Sequence, residues 1–179
     1  MPELPEVETT VLDLNRFVGL YIRSIKLNRN NLRYPIPKNI TIITKKSKIQ
    51  SINRIGKYII INLNNLFSLI IHLGMSGRIK SYEFKDLNYR EKHDHVEIFL
   101  TKDKKITFND PRRFGIFDII KTEKIPNSKY FNKLGLDPFD KKFSKDYLHK
   151  KMCKSSASIK SLLLNQKIIS GIGNIYACE

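Results

Sequence analysis

A mainly β chain with flanking α-helices, folded as a β-sandwich or barrel, is predicted by three observations. Short runs rich in Ile, Val, Leu, Phe and Tyr follow one another closely between residues 21 and 120. Turn-forming residues punctuate them. Apolar residues at helical spacing occur only before Gly19 and after Pro126.

Val7, Val11, Leu14 and Val18 predict an amphipathic helix over 5–18, stopped by Gly19. Nine strand runs come next. They are Tyr21–Leu27, Ile40–Ile43, Ile49–Ile55, Tyr58–Leu63, Phe67–Leu73, Ile79–Phe84, Val96–Leu100, Lys105–Phe108 and Gly115–Ile120. Asn64-Asn65 and Lys102-Asp103 mark turns between them. Residues 144–152 and 158–166 read as helices, and Asn174 as the cap of another. A boundary near 130 separates residues 1–130 from residues 131–179. The last helix holds only five residues before Glu179. So short a helix is unstable alone, so residues 150–179 are expected to be poorly ordered in isolation.

The chain has 33 Lys and Arg against 17 Asp and Glu, a net charge of +16 over 179 residues. That excess favours a polyanion, most simply nucleic acid. No apolar run reaches membrane-spanning length, and the amino terminus lacks the pattern of a signal peptide. Cys153 and Cys178 form no metal motif and suit a reducing cytoplasm.

The opening Met1-Pro2-Glu3-Leu4-Pro5-Glu6 carries the sharpest chemistry. Trimming of Met1 would expose the secondary amine of Pro2. An α-amino group titrates near pH ~8, so a useful fraction is nucleophilic at cellular pH. Attack on a sugar C1′ would give an iminium, and Glu3 and Glu6 supply carboxylates beside it. Lys57, in Gly56-Lys57-Tyr58, is a candidate to reach a phosphate or leaving group. His72-Leu73-Gly74-Met75-Ser76-Gly77 presents Met75 on a glycine-rich loop, as an apolar wedge or a core residue. In Lys92-His93-Asp94-His95, His93 suits a phosphate and His95 a structural role better than either suits a metal. Asn109-Asp110-Pro111-Arg112-Arg113-Phe114-Gly115 sets two guanidiniums and an aromatic on one turn. Such groups read bases and phosphates and enter base stacks. Asp110 is expected to anchor one of these arginines. Gly171-Ile172-Gly173-Asn174 opens a helix and forms an anion site, where a phosphate is expected before a carboxylate.

MPELPEVET, GKY, HLGMSG, KHDH, NDPRRFG, LGLDP and GIGNIYA together, in this order, resemble the bacterial formamidopyrimidine-DNA glycosylase family. Leu4 favours its oxidised-purine branch over the endonuclease VIII branch. The resemblance implies an N-terminal β-sandwich flanked by helices, then a helix–two-turn–helix domain that begins in 131–179, then a zinc finger. It implies damaged double-stranded DNA as partner, a bacterial cytoplasmic monomer, and base excision followed by β,δ-elimination. Pro2 would be the Schiff-base nucleophile, Glu3 its acid/base and Lys57 the residue of elimination. Glu6 would line the site. His72, His93 and Asn174 would contact phosphates, and Met75, Arg112 and Phe114 would fill the gap left by a flipped nucleotide. Lys154 would touch DNA, although Ser155 and Ser156 replace basic residues common in relatives. No metal ligand and no cofactor is assigned to these residues. The four-cysteine zinc finger of the family lies outside the sequence, so the chain is read as truncated, and a weakened DNA-binding remnant is the alternative to an active glycosylase/lyase. A basic sandwich that binds RNA or single strands without chemistry gives Pro2 and Glu3 no role.

Overall fold

The computed structural model describes residues 1–83, 87–153 and 155–179. Helix α1 spans Leu4–Leu14, and Val7, Val11 and Leu14 face the core. The Glu6 side chain reaches back to accept the Glu3 N–H at 2.9 Å, which satisfies one free donor of the first turn. The helix is shorter than the periodicity suggests. A 3-10 turn, Asn15–Phe17, tightens its end. Three residues per turn rotate Phe17 inward and leave Val18 40% exposed.

Two antiparallel four-stranded sheets follow. One has the order β1 (Ile22–Leu27), β6 (Asp94–Leu100), β7 (Lys104–Asn109), β5 (Arg78–Glu83). The other has the order β2 (Ile49–Ile55), β3 (Tyr58–Leu63), β4 (Phe67–His72), β8 (Ile116–Lys121). Their inner faces, with α1, enclose the main core. The second sheet is covered on both faces. Ile59, Ile61, Leu69 and Ile71 point into the sandwich, while Ile60, Ile70 and Ile116 pack under Ile125, Tyr130 and Phe131. That is why β3 and β4 read as continuous apolar runs without alternation.

The predicted strand Ile40–Ile43 is instead a one-turn helix, α2. Ile40 is buried and Ile43 packs against the core, while Ile42 is 77% exposed. A spacing of three matches a helical turn, whereas a strand would pair 40 with 42. Four apolar residues cannot distinguish these states. The strand read as 79–84 is β5, and Phe84 lies outside the described residues.

Helix α3 (Lys145–Met152) is capped by Ser144, whose hydroxyl accepts the Tyr147 N–H at 3.1 Å. Helix α4 (Ile159–Leu164) is capped by Ser158. Helix α5 is Asn174–Cys178. Leu162, Ile168 and Ile169 form a third small core with Phe143, Leu148, Met152 and Ile172. Residues 168–176 are stitched to the rest. Leu4 N–H donates to Gly171 O at 3.1 Å and Ser170 N–H to Leu136 O at 3.0 Å.

Candidate active site

The amino terminus meets the other end of the chain at Glu3, which is only 1% exposed. Its carboxylate accepts the N–H groups of Gly173 (2.7 Å), Ile175 (2.9 Å) and Tyr176 (3.4 Å). The free N–H groups of a helix start favour an anion. The anion held here is therefore the Glu3 carboxylate and not the phosphate expected from the net charge. The chain supplies its own negative group, and burial makes the exchange local. Gly173, not Asn174, is the N-cap of α5. A Cβ on Gly173 would overlap the Glu3 carboxylate, so glycine is required for this approach. Asn174 is the first helical residue and is exposed.

Glu6 lies beside this pair. It accepts the Tyr176 hydroxyl at 3.2 Å as well as the Glu3 N–H. Desolvation opposes its ionisation. The Glu3 and Glu6 N–H groups, the Tyr176 hydroxyl and the nearby amino terminus outweigh it and hold the carboxyl below its ordinary value. Lys57 sits in the two-residue turn between β2 and β3 and is 7% exposed. Burial lowers its ammonium pKa, against the attraction of Glu3 and Glu6. Two carboxylates and a lysine thus form one cluster, and Pro2, which precedes Glu3 in the chain, is itself partly exposed.

The Gly74–Met75 loop and the Asn109–Gly115 turn form a second wall. Buried Asp110 ties them together. One carboxylate oxygen accepts the Ser76 hydroxyl at 2.6 Å, and the other accepts the Gly115 N–H at 2.8 Å. Ser76 in turn accepts the Arg112 N–H at 3.1 Å. Asp110 therefore shapes the turn through a serine and backbone groups and makes no ion pair with either arginine. Gly74 has φ +64°, and a Cβ there would lie 2.5 Å from the Phe114 carbonyl carbon. The two segments thus touch backbone to backbone. Arg113 adopts φ 60°, a left-handed conformation strained for a side-chain-bearing residue. The turn leaves Met75 44% and Phe114 46% exposed, and the Arg112 guanidinium lies 5.1 Å from the Phe114 ring.

A cleft of about 440 Å³ opens against this wall, lined by Met1, Arg33, His72, Gly74, Met75 and Phe114. His72 Nδ1 accepts the Gly74 N–H at 3.0 Å, which leaves Nε2 as its outward donor. Burial, then Lys57 and Arg33, push its pKa down to about 4, so the ring is neutral at physiological pH. His93 is partly exposed beside the turn, and its carbonyl accepts the Asp110 N–H at 3.0 Å. His95 is buried, with Nε2 2.9 Å from Asp110 O.

The family model for the formamidopyrimidine-DNA glycosylase N-terminal domain matches residues 1–117, and that for the formamidopyrimidine-DNA glycosylase H2TH domain matches residues 134–179. The chain belongs to the formamidopyrimidine-DNA glycosylase family. It is 42% identical over 181 residues to the formamidopyrimidine-DNA glycosylase of Rickettsia africae, and 44% identical over 180 residues to that of Zymomonas mobilis. All of this chain aligns, against 65% of either relative. The chain thus spans about two thirds of their length. The Lactococcus lactis Fpg protein, solved in complex with DNA containing N7-benzyl-Fapy-dG, superposes with a TM-score of 0.89 at 34% identity. The match covers 98% of this chain and 64% of that one. The same Lactococcus protein has been solved with abasic-site DNA.

Glu3, Glu6 and Lys57 form one charged cluster next to Pro2 in the chain, and Met1, which precedes Pro2, lines the cleft. His72, Met75, Arg112 and Phe114 line or border it, and His93 and Asn174 are surface residues nearby. Lys154 lies outside the described residues. No group of three or more His, Cys, Asp or Glu side chains among the described residues is arranged to hold a metal ion. Cys153 and Cys178 are exposed and unpaired. Sequence reasoning passed over Arg54, whose guanidinium pairs with Glu8 at 2.5 Å and with Asp137, and donates to Gly56 O at 3.0 Å. Arg54 links α1, the Lys57 turn and the Leu134–Asp137 segment. Its alternation within β2 resembles that of any solvated strand residue, so no local signal marked it. Tyr176 was also passed over, because its partner Glu6 stands 170 positions away.

Proposed function

We propose that this chain carries the catalytic core of a bifunctional DNA glycosylase/AP lyase that removes oxidised purines, 8-oxoguanine and formamidopyrimidines, from duplex DNA. The supporting observation is the buried Glu3 carboxylate, fixed by three backbone amides directly beside Pro2. After loss of Met1, the Pro2 nitrogen attacks C1′ of the damaged nucleotide. The glycosidic bond breaks, and Glu3 moves the proton that the departing base and opening sugar require. The resulting iminium acidifies the C2′ proton. Removal of that proton expels the 3′ phosphate by β-elimination, and δ-elimination then expels the 5′ phosphate, leaving a one-nucleotide gap. Lys57, buried close to Glu3 and Glu6, serves the β-elimination and contacts a phosphate. His72, His93 and Asn174 contact phosphates, and Lys154 touches DNA. Met75, Arg112 and Phe114 occupy the space of the flipped nucleotide, with Arg112 facing the orphaned base. The protein acts as a monomer in the bacterial cytoplasm on nucleoid DNA. We place the division between its catalytic sandwich and its helical DNA-binding segment at residues 130 and 131.

Borohydride trapping tests the nucleophile. The mature chain should form a covalent adduct with abasic-site DNA, and Pro2→Gly, a primary amine, should form far less. Equal trapping with Met1 retained would refute the Pro2 assignment. The alternative, a DNA-binding remnant with weakened turnover, is separated by product release. An adduct without release of free 8-oxoguanine from a lesion duplex favours the remnant.

A further inference from the structure

We infer that Arg33 is a DNA-phosphate contact seated beside the Phe114 wedge, an assignment that rests on the proposed action on DNA. Arg33 lines the cleft with Met1, His72, Met75 and Phe114. It also lines an adjoining cleft of about 310 Å³ with Asn31, Arg112, Arg113 and Phe114. Phe114 and Arg33 are the residues common to both, so Arg33 stands beside Phe114 between the His72 side and the Arg112 side.

The backbone that carries Arg33 is tightly held. Leu32 and Ile36 are buried on either side of it. Asn31 bridges to Pro35 across the loop, and the Arg33 N–H donates to Gly115 O at 3.2 Å. Arg33 is therefore fastened to the same turn that presents Arg112 and Phe114. Its side chain is exposed, with the guanidinium 5.8 Å from the Tyr34 ring. Among the described residues no carboxylate lies within ion-pair distance of it.

The residues that line the two clefts with it carry the same sign or none. Arg33 and Lys57 both depress the charging of His72. Like charges so gathered repel one another in the free protein, and a phosphate between them relieves that repulsion. A ring that enters a base stack brings the sugar-phosphate backbone past its flank. A rigidly based guanidinium at that flank meets phosphate oxygens in forked geometry.

The test measures binding of the 179-residue chain to a duplex carrying a tetrahydrofuran abasic-site analogue, over a series of salt concentrations. Arg33→Ala should weaken binding equally for all four bases opposite the site. The slope of log affinity against log salt should fall by about 0.9, so that the loss between 50 and 200 mM salt shrinks about 3.5-fold. Arg33→Lys, which keeps the charge, should restore most of the slope and control for folding. A wild-type slope and affinity in Arg33→Ala overturn the inference. So does a change in opposite-base preference at unchanged slope, which would mark a base contact. If the wild-type chain itself shows no salt-sensitive binding, the proposed action on DNA fails and takes this contact with it.

Discussion

The Glu3 carboxylate and the Gly173 N–H, 170 positions apart in sequence, are joined by a 2.7 Å hydrogen bond. The bond fastens the residue beside Pro2 to the start of α5. Gly173→Ala would drive a methyl group into that carboxylate. Displacement of a catalytic group by about 1 Å costs about 10²-fold in rate. Base release measured on an 8-oxoguanine duplex should fall by about that factor. An unchanged rate for Gly173→Ala would mean that Glu3 is not positioned by this amide.

Glu3→Gln keeps the size and an acceptor oxygen but removes the charge. Base excision should drop by about 10²–10⁴-fold, the usual weight of a general acid/base. Amide exchange at Gly173 and Ile175 should quicken only modestly in Glu3→Gln and strongly in Glu3→Ala. Fast exchange across 168–176 in the wild-type chain would contradict the stitching of this segment to Glu3 and Leu136.

Arg112→Ala should cost about 1–3 kcal/mol of binding to lesion DNA if its guanidinium makes a bidentate base contact. The loss should be largest with cytosine opposite the lesion. A loss independent of the opposite base would make Arg112 a phosphate contact.

His72 should remain neutral over the physiological range. Its pKa, lowered from 6.5 to about 4, means that the folded state binds fewer protons than the unfolded state between those values. The stabilisation it carries is complete above pH 6.5 and is lost as pH falls toward 4. Nuclear magnetic resonance of the His72 ring should therefore show no titration between pH 8 and 5. Arg33→Ala or Lys57→Met should raise the midpoint, because each removes a neighbouring positive charge. A midpoint near 6.5 in the wild type would show that the ring is not shielded.

Arg54→Met should destabilise the chain by about 1–3 kcal/mol, because it strands the Glu8 and Asp137 carboxylates without their shared partner. Thermal unfolding followed by circular dichroism measures this. A melting temperature equal to that of the wild type would reduce Arg54 to a surface residue.

Local pattern made much of the protein legible. The Val7, Val11 and Leu14 spacing identified α1, and apolar runs with turn residues identified both sheets. Ser144 and Ser158 stand at the helix starts where capping chemistry puts them. The motif residues, including Pro2, Glu3, Met75, Arg112 and Phe114, were visible because short-range order of residue types carries chemical meaning. Three features depended on tertiary structure. Ile40–Ile43 became a helical turn because Ile40 and Ile43 found the same core. The anion held at α5 proved to be Glu3, and Asp110 met Ser76 and Gly115 where an arginine was expected. Periodicity and motif spacing report which face of an element is apolar and which groups are close along the chain. They do not report which polar group from a distant segment arrives to satisfy a buried donor, and that pairing is settled only when the core closes.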